Sequence, residues 1–179
     1  MRFFSLCCAD GEPQFESRAT VSAEAWEPFW AWFGPHLMGL RHSRLLLTLW
    51  CRGCVMGFIS KRAAESLLAG RAPGTFLLRF SERAAGSFAV AYVKQGKAGG
   101  PPTVKHYLLR PGDVAPPQRS LADFLGAQGY FAFLLQALPD AAGSADTVRW
   151  RLVHKDEAFG PFYGAKGQTM DGYDDRIGD

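Results

Sequence analysis

The nine residues GTFLLRFSE, Gly74 to Glu82, set one arginine inside a short apolar strand pattern, and no other feature constrains the fold as tightly. With strand alternation, Phe76, Leu78 and Phe80 face one way while Leu77, Arg79 and Ser81 face the other. Helical patterns flank the strands on both sides in sequence, so both sheet faces need covering and Arg79 is expected to be at least half buried. Removing a guanidinium from water costs several kcal/mol unless something anionic meets it. The strand has no acid on its own face. Three answers are open: an ion pair with Glu65 or Glu82, escape of the long side chain to the sheet edge, or an anion arriving from solution.

Strand-forming residues recur at 75–81, 87–93 and 103–109, joined by ERAAG and by KQGKAGGPP, which predicts an antiparallel meander. Upstream, Glu27 and Pro28 read as the start of a helix, with Trp26, Phe29, Trp30 and Phe33 as its packing face. Gly34 and Pro35 predict a kink or interruption before the pattern resumes through Leu37, Leu40 and residues 45–49, ending near Trp50 and Gly53. Ser60 is the expected N-cap of a short helix from Lys61 to about Ala69, with Gly70 as its stop. Residues 111–117 read as a loop, and SLAD at Ser120 as a capping box. Phe131, Leu134, Leu135 and Leu138 predict another helix ending at Pro139, and residues 147–159 a further one. From Gly160 the chain is rich in glycine and aspartate, as a flexible tail would be.

These elements predict an α+β fold, a central antiparallel β-sheet flanked by helices. The expected organisation is an irregular segment over 1–22, a helical linker over 23–53, the sheet-bearing domain over 54–160 and a tail over 161–179.

At 179 residues and 47% hydrophobic, the chain can bury one core. A net charge of +3 with scattered basic residues does not suit a nucleic-acid binder. The apolar run in MRFFSLCCAD is too short to span a bilayer. Cys51 and Cys54 form a lone CxxC with no second pair at ligand spacing, and Cys7 and Cys8 are merely adjacent, so neither a zinc site nor a redox motif is expected. No nucleophile motif or nucleotide-binding loop is present, and His36, His42, His106 and His154 lack triad partners. The expectation is a protein that is not an enzyme and has no cofactor, metal, nucleic-acid or membrane site.

The surroundings of Arg79 favour the anion from solution. Lys61 and Arg62 occupy the first turn of a helix, where the dipole disfavours cations and prefers anions. The turn SERAAG, Ser81 to Gly86, brings a hydroxyl and backbone N–H groups that can fold around phosphate oxygens. His106 in VKHYLL offers a flat ring and a donor from the third strand. A forked cation at the bottom of such a floor suits bidentate phosphate contact, and its depth selects a phosphate on a long rigid stem: phosphotyrosine over phosphoserine.

WCRGCVMGFISK followed by PGTFLLRFSE closely resembles the Src homology 2 (SH2) domain of the STAT family, the signal transducers and activators of transcription. FWAWFGPHLMGLRHSRLLLTLW is similar to that family's helical linker, and RSLADFLGAQGYFAFLL, HKDEAFGPFY and DGYDD resemble its later helices and phosphotyrosyl tail, in the same order. The resemblance implies that Arg79 grips phosphate, that Lys61 assists it, that Ser81 and Glu82 belong to the phosphate loop and that Tyr173 is the phosphorylated tyrosine. Arg83 stands where the family has serine, and His106 with Tyr107 stands where the family usually has a proline before the tyrosine. Only residues 1–25 precede the match, so the family's coiled-coil and DNA-binding domains are not expected here. Implied partners are phosphotyrosine peptides, a tyrosine kinase, a phosphorylated receptor or adaptor, and a second copy bound through phosphorylated Tyr173. The implied location is the cytoplasm, with transfer to the nucleus. Residues 161–179 carry net charge −2 against +5 for the rest, so tail and body are complementary. The competing role is a stand-alone adaptor that reads phosphotyrosine on receptors or other proteins, with Tyr173 idle.

Overall fold

The computed structural model describes residues 22–114, 120–138 and 148–164. Tyr173, Pro139, Cys7, Cys8 and the segment 1–21 lie outside the described residues.

Strand β1 (Thr75–Phe80) is buried at every position and lies third in a five-stranded sheet. On one side are β2 (Phe88–Lys94) and then β3 (Thr103–Leu109); on the other are β4 (Phe133–Leu138) and then β5 (Arg149–His154). Neighbours are antiparallel except β1 and β4, which run parallel with Thr75 and Phe76 against Phe133 and Leu134. The α+β class and the β1-β2-β3 meander are as the sequence predicts, but the sheet is mixed, with two strands more than expected.

Among the described residues five helices cover the sheet: α1 (Ala23–His42), α2 (Arg44–Cys51), α3 (Lys61–Leu68), α4 (Leu121–Ala127) and α5 (Lys155–Phe159). One face of β1, through Phe76, Leu78 and Phe80, shares a core with Phe33 and Leu40 of α1, Leu49 of α2, Leu125 of α4 and Phe159 of α5. On the other face Leu77, Ala91, Val93 and Leu135 pack against Ala64 and Leu68 of α3. Both faces of β1 are thus dry, which is why its alternation hides a nearly continuous apolar run. The linker helices share a core with the sheet and do not stand apart from it.

The helical lead-in differs from expectation at three points. Helix α1 begins at Ala23, with Ser22 as N-cap, and Pro28 lies inside it. It continues through Gly34 and Pro35 and breaks at Ser43, whose extended backbone caps α2. A proline inside a helix costs about 3 kcal/mol, but Phe33, His36 and Leu40 are buried on one face around it, and that packing holds the helix together. The buried face runs Phe29, Phe33, His36, Leu40, whereas Trp26 and Trp30 are exposed and stack on each other at 5.7 Å.

Two predicted helices are strands. Residues 133–138 form β4, where Leu134 enters one core and Leu135 the other. A short strand buried on both faces puts adjacent leucines inside, which helical spacing mimics. Residues 149–154 alternate as β5, and α5 is confined to Lys155–Phe159. From Gly160 to Gly164 the chain is packed, the Tyr163 hydroxyl donating to Asp156 Oδ1 at 2.6 Å and the Gly164 N–H to Asp123 Oδ1 at 2.8 Å, and the rest of the expected tail, 165–179, lies outside the described residues. Cys51 and Cys54 are free thiols, and burial pushes Cys54 up to about 11, out of reactive range.

Gly53 joins the linker to the far side of the sheet. Its φ is +69°, its carbonyl accepts from Ala137 N at 3.1 Å, and an added Cβ would lie 1.8 Å from the Ala137 carbonyl oxygen. Gly53→Ala should therefore destabilise the fold by more than about 2 kcal/mol, read as a lowered urea midpoint at unchanged slope. A midpoint within experimental error of wild type would contradict this geometry.

Candidate functional site

The site is assembled where α3 meets the end of β1. Ser60 caps α3 by accepting the Ala63 N–H at 3.0 Å, which starts the helix at Lys61. Ala64 and Leu68 then bury against the sheet, leaving Lys61 and Glu65 on the turns beside it. Strand β2 sets Ala89 directly opposite Arg79 and Ala91 opposite Leu77. These small side chains leave room under the start of α3, and the space is a cleft of about 300 Å³. All six residues singled out in the sequence line it: Lys61, Arg79, Ser81, Glu82, Arg83 and His106. Arg62 does not.

Arg79 lies at the base, 4% exposed. Its Nη1 donates to the carbonyl of Phe80 at 3.0 Å, and Glu82 Oε2 stands 4.0 Å from Nη1, too far for a hydrogen bond. The buried Nε has no hydrogen-bond partner. Burial pulls the guanidinium below its ordinary value while Glu82 and Glu65 push it back. Such an arginine stays charged, so a donor able to serve an anion is left idle.

Glu82 reconciles two of the alternatives left open above. Its Oε1 accepts the Lys61 backbone N–H at 3.0 Å, so the carboxylate caps the cation-bearing first turn of α3 while its second oxygen faces Arg79. An internal acid thus stands near the arginine without satisfying it. That carboxylate is 44% exposed, and its attraction for Arg79 is screened by solvent.

Glu65 is committed elsewhere. Its Oε1 pairs with His106 Nε2 at 3.0 Å and with Lys61 Nζ at 3.9 Å. Because a carboxylate only accepts, Nε2 carries the proton and the buried Nδ1, which has no partner, carries the lone pair. The donor expected of His106 is therefore spent on Glu65. The loop after β1 is folded on itself: Ser81 Oγ accepts the Ala84 N–H at 3.1 Å and the Ser81 N–H bonds Ser87 O at 2.9 Å. The backbone N–H groups of Glu82, Arg83 and Ala85 have no acceptor among the described residues. The cleft is completed by Ala84, Ala89, Tyr107 and Leu108. Ala84 belongs to the SERAAG turn and Tyr107 to the third strand read in the sequence; Ala89 and Leu108 were not singled out, and the antiparallel pairing of the first two strands is the signal that could have placed a small residue opposite Arg79.

The family model described as the SH2 domain matches residues 55–115, a stretch that contains all six of those residues. The chain is 36% identical over 148 residues to signal transducer and activator of transcription A of Dictyostelium discoideum, an alignment covering 83% of this chain and 20% of that protein. It is 27% identical over 184 residues to signal transducer and activator of transcription B of the same organism, covering 89% of this chain and 16% of that protein. Against signal transducer and activator of transcription 4 of Mus musculus it is 30% identical over 139 residues, 77% of this chain and 17% of that protein. The chain spans about a fifth of the length of these relatives.

Burial holds the His106 imidazole below its ordinary value, opposed by the bond to Glu65 and reinforced by the charges of Arg79 and Lys61. The unfolded chain takes up this proton near pH 6.5, about the ordinary value for histidine, and the folded chain only at lower pH. His106 therefore contributes stability that is complete above about pH 6.5 and is lost as the pH falls. Thermal melts should show Tm dropping between about pH 7 and pH 5 more steeply in wild type than in His106→Gln, which keeps a donor for Glu65. Equal slopes would remove the imidazole from the account.

Proposed function

Starting from the fact that this chain is an SH2-bearing segment of the STAT family, we propose that its cleft binds phosphotyrosine. The observation that carries the reading is the buried Arg79, whose Nε has no partner at the base of an open cleft. A phosphate dianion reaching it would find the guanidinium fork, the Lys61 ammonium, the Arg83 charge and the unbonded N–H groups after Ser81. Lys61, Arg79 and Arg83 outnumber Glu65 and Glu82, so the cleft attracts anions. His106 serves as a floor that holds Glu65 away from Arg79. Like other SH2 proteins of its family the chain acts by binding, and the role we assign it is receptor docking and signal transfer toward transcription.

The tail supplies a ligand of the same chemistry. Phosphorylation of Tyr173 would add about −1.5 to −2 charge and three strong acceptors to an acidic segment. Among the described residues the contact nearest the tail is at Gly164, and the nine residues from there to Tyr173 span at most about 30 Å when extended. Tyr163 docks beside α4 on one face of the sheet, whereas the cleft lies under α3 on the other. A tail entering its own cleft must round the sheet within that short reach, which favours exchange between two chains in a twofold dimer.

Titration of the unphosphorylated protein with the phosphotyrosine form of MDGYDDRI tests the reading. Binding should require the phosphate, and Arg79→Lys, which keeps charge but loses the fork, should weaken it by at least about 1.5 to 3 kcal/mol with the fold intact. Unchanged affinity in Arg79→Lys would assign the arginine to structure alone. Equal affinity for unrelated phosphopeptides would favour the adaptor role over self-association. Light scattering at micromolar concentration should find the Tyr173-phosphorylated protein dimeric; a monomer would reject exchange.

A further inference from the structure

Helix α1 touches the loop over the cleft at both ends. The Trp32 indole Nε1–H donates to the carbonyl of Ser81 at 2.7 Å. The buried His36 ring, four residues on, bonds the Ser87 carbonyl through Nε2 at 3.0 Å, while its Nδ1 lies 3.0 Å from the Trp32 carbonyl and 3.3 Å from the Gly86 N–H. Gly86, at φ +74°, comes close to Pro35: a Cβ on it would lie 3.2 Å from the proline Cβ. The turn of α1 that holds Trp32, Pro35 and His36 thus grips residues 81, 86 and 87.

Those are the residues that close the neck of the loop, where the Ser81 N–H meets Ser87 O at 2.9 Å. We infer that the linker helix is a working part of the phosphate site: Trp32 and His36 are positioning residues that fix loop 81–87 in its anion-ready form. The inference rests on the phosphotyrosine reading of the cleft. Neither side chain lines the cleft, so neither meets the ligand. Their effect runs through the loop. The Ser81 carbonyl held by Trp32 belongs to the residue whose hydroxyl organises Ala84, and the Ser87 carbonyl held by His36 accepts the closing bond.

Coupling of this kind is reciprocal. If α1 orders the loop for phosphate, phosphate bound in the loop holds α1 against the sheet, and occupancy of the cleft is felt by the linker. The linker thereby becomes a receiver of the binding event.

The test uses the full chain and the phosphotyrosine form of MDGYDDRI. Trp32→Phe keeps an aromatic ring against Phe58 and Phe80 but removes the donor; His36→Leu removes both loop contacts, and His36→Gln returns an N–H near the Nε2 position. Trp32→Phe and His36→Leu should each weaken phosphopeptide binding about three- to tenfold, with His36→Gln recovering much of the loss. Independently of any variant, hydrogen exchange on wild type should show the amides of residues 36–40 slowed by the phosphopeptide and unaffected by its unphosphorylated form. Wild-type affinity in both variants while Arg79→Lys loses binding, or exchange in α1 indifferent to the phosphopeptide, would overturn the linkage and leave the cleft reading standing. A wild-type protein that ignores the phosphopeptide would overturn the cleft reading, and this inference with it.

Discussion

A guanidinium held out of water without a full set of partners is the condition around which the rest of this structure is arranged. Arg79 is fixed by the strand on either side of it: Leu78 and Phe80 are locked in one core and Leu77 in the other, so the side chain between them has no freedom to turn toward solvent. Its charge cannot be relieved by deprotonation at any physiological pH. The sheet therefore carries a fixed positive charge at a fixed depth. The surroundings must either neutralise it or leave a path by which something else can.

The surroundings do some of each. Glu82 comes within 4.0 Å, but its nearer commitment is to the Lys61 N–H, and Glu65 is drawn off by His106. Each acid that could have closed a strong pair with the arginine is bonded to something else. Ala89 matters as much as the charges. A larger residue opposite Arg79 would fill the cleft beside the guanidinium. A fully paired arginine would have been the more stable arrangement locally, since breaking a buried pair by removing one partner costs about 3–5 kcal/mol. The fold forgoes that stability and retains an unmet donor, a trade that recurs where a binding site is built into a sheet.

Much of the cleft was legible in the sequence because its residues are set by local rules. Period-two alternation alone puts Arg79 and Ser81 on one face, and a serine cap with two buried apolar positions orients α3. What eluded sequence reading depends on contacts between distant segments. Strand β4 reads as a helix because Leu134 and Leu135 enter different cores, as happens in a strand packed on both faces. Pro35 reads as a break until one sees that Phe33, His36 and Leu40 are buried around it. Trp32 and His36 were passed over for a related reason. The eye follows the aromatics Trp26 and Trp30, which are exposed, while a histidine at i+3 from Phe33 and four before Leu40 continues the buried face. That register was present in the sequence, but nothing there says what a buried imidazole bonds.

Phe80 shows why linker and cleft belong to one mechanical unit. Its carbonyl oxygen accepts from Arg79 Nη1 on the cleft side. Its ring lies on the opposite side of the sheet, stacked on Trp50 at 5.0 Å with 8° between planes and set 4.3 Å from the His36 ring. One residue therefore bonds Arg79 through its backbone and the linker helices through its side chain. A shift of α1 or α2 that moved this ring would move the carbonyl that aims the guanidinium, because a close-packed core transmits displacement instead of absorbing it. The direct grip of Trp32 and His36 on the loop adds a second connection in parallel. Both connections pass through the turn of α1 that holds Trp32 and His36, so this one turn touches the Phe80 ring and the loop together, and the segment before the sheet is placed to register a change on the cleft side.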